Sequence, residues 1–118
     1  MVFAIRGAVQ VTENTAAAIE AAVREMIAEI GRNNHLDPDR VISAFFTLTP
    51  DLSAAFPAAA ARAFGWPDVP MICAQEIAVP GSLPRICRVL VHATGEGPPR
   101  HVYLGAAQGL RPDIGHGP

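Results

Sequence analysis

Glu76 and Arg88 each interrupt an apolar run, MICAQEIAV over residues 71–79 and RICRVLV over residues 85–91. An ionised side chain inside a strand is costly unless it is paired or bound to something. The intervening residues 80–84, PGSLP, form a strong turn signal. Pairing Val79 with Arg85 in a hairpin would set Glu76 directly opposite Arg88 on one face. Such a pair suits a polar or anionic ligand, although a structural ion pair closing the hairpin accounts for it equally well. Other arginines are also oddly placed: Arg6 breaks a first strand, Arg62 lies in a short helix, and Arg111 follows the last strand in LRPD. All nine basic residues are arginine, so any anion site must use guanidinium forks, which grip carboxylates bidentately. For Arg62 and Arg111 a solvated surface position is the plainer reading. Tyr103, the only tyrosine, reads by itself as core packing with a satisfied hydroxyl.

Other chemistries find little support. His35, His92, His101 and His116 show no metal-ligand spacing with one another or with the cysteines, so no metal site is expected. There is no G-x-S-x-G elbow, no phosphate-binding loop and no dinucleotide fingerprint. Cys73 and Cys87 lie inside strand-like runs with nothing nearby in sequence to activate them. They read as reduced core thiols, which implies a cytoplasmic location. A net charge of −2 gives no footprint for nucleic acid or an anionic membrane. The apolar runs are far short of the roughly 20 residues that a membrane span needs, and no secretory pattern opens the chain.

The elements that must position these residues are legible. The 118 residues, half of them hydrophobic and 17% charged, suit one domain with a core independent of disulfides. Residues 1–114 are expected to form that domain and residues 115–118 a flexible C-terminal tail. Residues 2–11 read as a strand. Thr12 to Thr15 supply helix caps, and Ile19, Val23, Met26, Ile27 and Ile30 make one helical stripe over residues 16–32. A short turn at Asp37-Pro38 leads to a buried strand over residues 41–49. Pro57 opens a second helix that stops at Gly65. The two runs around Glu76 and Arg88, and a short strand over residues 101–104, complete the order β-α-β-α-β-β-β. This is an α+β fold: a mixed β-sheet with helices on one face. Two helices leave the other face of so apolar a sheet uncovered, and oligomerisation is its natural cover.

The chain resembles the monofunctional chorismate mutases of the Bacillus type over almost its whole length. The shared pieces are IRGA (residues 5–8), TPDL (49–52), AFPA (55–58), Gln75-Glu76, Arg88-Val89, RHVYL (100–104) and LRPD (110–113). Each is weak alone, but together, in order and at nearly the family spacing, they are specific. The resemblance implies a homotrimer, a pseudo-barrel with active sites in clefts between subunits. It also implies rearrangement of chorismate to prephenate, a step in aromatic amino-acid biosynthesis that requires no cofactor, metal or nucleophile.

By the same resemblance Arg88 stands at the substrate's ether oxygen, and Glu76 with the backbone N–H of Cys73 serves the ring hydroxyl. Arg6 and Tyr103 would bind a carboxylate. Phe56, Ala58 and Leu110 would form apolar walls, with Phe56 and its neighbours coming from the adjacent subunit. Arg62 and Arg111 would stand at the mouth. The chain departs from the family pattern at Ala59, where lysine is frequent, at Ile72, and in a shortened loop over residues 95–99. The competing readings are a non-catalytic trimer that binds small molecules and a trimer resembling the enamine deaminases. The motifs expected of the deaminases around their arginine are absent here.

Overall fold

The computed structural model describes residues 1–110. Five strands form one mixed sheet: β1 (Val2–Gln10), β2 (Val41–Leu48), β3 (Met71–Gln75), β4 (Ile86–Thr94) and β5 (Val102–Leu104), in the spatial order β3-β2-β4-β1-β5. Helix α1 (Ala16–Asn34) follows β1, and helix α2 (Pro57–Phe64) follows β2. Short 3₁₀ segments occupy Pro38–Arg40 and Gly105–Leu110. Among the described residues no helix is long and apolar enough to cross a membrane.

Alternation in the strands sorts the sheet into two faces. Ile5, Val9, Ala44, Phe46, Cys87, Val89, Val91 and Ala93 point towards the helices and form the main core. Onto them α1 lays Ile19, Val23, Met26, Ile27 and Ile30, the stripe that its sequence displays. The Thr15 hydroxyl accepts the Ala18 N–H at the N-terminus of α1, and His35, in the left-handed region, closes its C-terminus. Helix α2 adds Ala58, Ala60 and Ala61 to the same core. Both helices thus cover one face. α1 packs tightly over β1 at Gly7, where an added Cβ would lie 2.8 Å from Ile30 Cδ1 and 3.0 Å from Val89 Cγ1. A side chain at this position, next to Arg6, would require Ile30 and Val89 to shift.

The expected hairpin is corrected by the topology. β3 does not pair with β4. It runs parallel to β2, with Ala44 beside Met71 and Leu48 beside Gln75. β2 in turn pairs antiparallel with β4, with Thr47 opposite Arg88. β2 is therefore inserted between the two runs that the sequence reading had joined. The reason lies in residues 77–85, which leave the sheet: Ile77 and Val79 are exposed despite being apolar, and Arg85 takes a left-handed conformation with φ 53°. A turn signal predicts that the chain reverses, but not which strand it then joins.

The start of β4 is pinned instead by TPDL. The Asp51 carboxylate accepts the Arg85 N–H (3.0 and 3.1 Å) and the Thr49 hydroxyl (2.5 Å). The Thr49 hydroxyl oxygen accepts the Ile86 N–H at 3.0 Å. The Arg85 side chain reaches back to the Val11 carbonyl at 2.9 Å. This clasp fixes where β4 begins, and with it the position of Arg88 two residues later.

Candidate active site

The face away from the helices carries the polar residues. Alternation puts Arg6 and Ala8 of β1, Phe45 and Thr47 of β2, Arg88 and Leu90 of β4, and Tyr103 of β5 on this side. With Leu110 they line a cleft of about 500 Å³. β5 runs parallel to β1 with Tyr103 beside Ala8, and Tyr103 is buried with Ala8, Ile86 and Ala107 in a small second core. The Arg6 backbone N–H donates to His101 Nδ1 at 2.9 Å, extending the β1–β5 pairing by one step.

The charged pair forms across an intervening strand. Glu76 lies one residue beyond β3, and its N–H continues the parallel ladder to the Leu48 carbonyl at 2.8 Å. Alternation from Gln75 turns its side chain onto the cleft face. Arg88 Nε then donates to Glu76 Oε2 at 3.0 Å. The same oxygen accepts the Thr47 hydroxyl at 2.7 Å. Glu76 is largely buried and the Arg88 side chain about half-buried. Glu76 engages the Nε edge of Arg88, and among the described residues the two terminal nitrogens of that guanidinium make no hydrogen bond. The arrangement is a cation held at one edge and offered at the other. Such an arrangement can stabilise negative charge without supplying a proton or a nucleophile.

Residues 2–114 match the family model for chorismate mutase type I. The chain belongs to that family. It is 45% identical to the chorismate mutase AroH of Thermus thermophilus, with 97% of each chain covered. It is 38% identical to the chorismate mutase AroH of Bacillus subtilis strain 168, covering 97% of this chain and 93% of the relative. Among solved structures it is similar to a chorismate mutase from Clostridium thermocellum. That match has a TM-score of 0.87 and 44% identity, covering 90% of this chain and 97% of that one.

The remaining family positions fall in two places. Arg6, Arg88, Glu76, Tyr103 and Leu110 belong to the cleft already described or border it. Phe56 and Cys73 instead line a second cleft of about 360 Å³ with Leu48, Leu52 and Gln75. Phe56, at the N-terminus of α2, is 75% exposed. Ala58 is buried in the core of its own chain, and Arg62 is exposed on α2. Within one chain, then, Phe56, Ala58 and Arg62 do not join Arg88. Arg111 and the expected tail over residues 115–118 lie outside the described residues.

Cys73 and Cys87 are both free. Cys73 packs against the main core, on the face opposite Glu76. Burial, with Cys73 and Glu76 nearby, pushes the Cys87 thiol up to about 12. That makes it an inert core group.

Thr47 is the residue that sequence reasoning missed. In VISAFFTLT a threonine looks like one more β-branched strand former, and only the placement of β2 between β3 and β4 reveals its contact with Glu76.

Proposed function

We propose that this chorismate mutase family member rearranges chorismate to prephenate, and that Arg88 does the decisive electrostatic work. The observation that carries this reading is the Arg88 guanidinium, held through Nε by Glu76 and directed into a cleft that also contains Arg6 and Tyr103. The reaction is an intramolecular pericyclic step in which the ether C–O bond breaks as a C–C bond forms. The substrate carries two carboxylates, an ether oxygen and a ring hydroxyl, and the ether oxygen gains negative charge on the way to the transition state. Catalysis consists of holding the compact conformer and placing fixed positive charge at that oxygen.

In this assignment the terminal nitrogens of Arg88 face the ether oxygen, and Glu76 accepts the ring hydroxyl, aided by the Cys73 backbone N–H. Arg6 and the Tyr103 hydroxyl bind a carboxylate, and Leu110 packs on the ring. Phe56 and Arg62 complete the site from a neighbouring subunit, with Arg111 at its mouth. The assembly is a homotrimer with clefts between subunits. Its support is the exposed Phe56 beside the second cleft and the apolar Ile72, 62% exposed on the sheet face that no helix covers. A cytoplasmic setting accords with two free cysteines.

Purified protein should consume chorismate, followed as loss of its absorbance, and yield prephenate without an added cofactor. Arg88→Ala should lower kcat by about 10²–10³-fold, the usual effect of removing one such donor, while circular dichroism stays native. No turnover by the wild type at high enzyme concentration would overturn the assignment of activity. Normal turnover by R88A would remove Arg88 from its role.

A further inference from the structure

We infer that Thr47 is a positioning residue of this site, acting on Arg88 through Glu76. The inference rests on the chorismate mutase reading for its kinetic consequence and on geometry for the rest. β3 and β4 both flank β2, so their backbones lie about 10 Å apart, twice the spacing of neighbouring strands. Glu76 and Arg88 meet only by reaching over β2 from opposite sides. The β2 residue beneath that meeting point is Thr47, directly opposite Arg88 in the antiparallel register and one step along from the Leu48 carbonyl that holds the Glu76 N–H.

A larger side chain at this position would obstruct the contact. An apolar one would leave the carboxylate with a single fixed donor. Threonine is short enough for the pair to close above it and supplies a hydroxyl to Glu76 Oε2 at 2.7 Å. With Arg88 Nε at 3.0 Å on the same oxygen, Glu76 is held from two directions. The second hydrogen bond fixes the orientation of the carboxylate, and therefore how the guanidinium is turned into the cleft. The γ-methyl group, on the same β-branched carbon, restricts χ1 and holds the hydroxyl towards Glu76.

The test compares Thr47→Val, which keeps the shape and removes the donor, with Thr47→Ser, which keeps the donor. T47V should lower kcat about tenfold, the scale of one hydrogen bond to a charged group, with KM changed much less. T47S should restore most of that loss. A second measurement needs no turnover: the Arg88 Nε–H resonance, assigned by its loss in Arg88→Lys, should exchange slowly with solvent in the wild type and in T47S and faster in T47V. If T47V matches the wild type in both kcat and Nε–H exchange, or if T47S is as impaired as T47V, the inference is overturned. If the wild type itself lacks turnover, the functional reading has failed, and Nε–H exchange alone decides whether Thr47 positions the pair.

Discussion

At the scale of single residues, one oxygen of Glu76 carries two donors, from Thr47 and Arg88. The sequence reading set the two charges on one face only through a hairpin between their strands, and the shared face survives although that hairpin does not form. The hydroxyl between them was not legible in the sequence, because a threonine in a β-branched run has an ordinary structural explanation. Cys87 gives a prediction at this scale. Its thiol is pushed up to about 12, first by burial and then by Cys73 and Glu76, so the folded protein should leave Cys87 unmodified by an alkylating reagent at mildly alkaline pH. Mass spectrometry of native and denatured samples checks this, and a labelled Cys87 in native protein would contradict it. The same shift has a sign for stability. Folding favours the protonated thiol, so this contribution is complete below the ordinary thiol value of 9.0 and is lost as pH rises towards 12. In that range the native state binds more protons than the unfolded one, and the unfolding free energy should fall with pH.

At the scale of elements, strands and helices followed from periodicity, but strand partnership did not. Residues 41–49 were recognisable as a buried strand, yet nothing in their pattern says that they separate β3 from β4. The clasp made by Thr49 and Asp51 explains how β4 is set without a hairpin. In the sequence TPDL stands out only as a piece shared with the family, whereas its side chains bind the start of β4. Asp51→Ala removes the acceptor for the Arg85 N–H and should destabilise the fold by about 1–2 kcal/mol, read as a lower midpoint in urea. It should also reduce turnover, because Arg88 lies only three residues beyond Arg85. An unchanged midpoint would show that the β2 ladder alone holds the start of β4.

At the scale of the whole molecule, the sheet is covered on one face and open on the other. Phe45, Leu90 and Ile72 lie partly or largely exposed on that open face, and Phe56 projects from the start of α2. Sedimentation at micromolar concentration should report three subunits, and a stable monomer would contradict sites shared between chains. The sequence already implied a missing cover, since two helices cannot hide both faces of so apolar a sheet. The insertion of β2 has a further consequence, for the order of folding. Glu76 and Arg88 are only 12 residues apart, yet a local reversal of the chain cannot unite them. Their meeting waits for β2, more than twenty residues upstream, to dock between their strands. Closing that longer loop is slower than forming a hairpin. The charge pair thus cannot close before β2 lies between its two strands, and a chain that has formed it has already joined β3, β2 and β4.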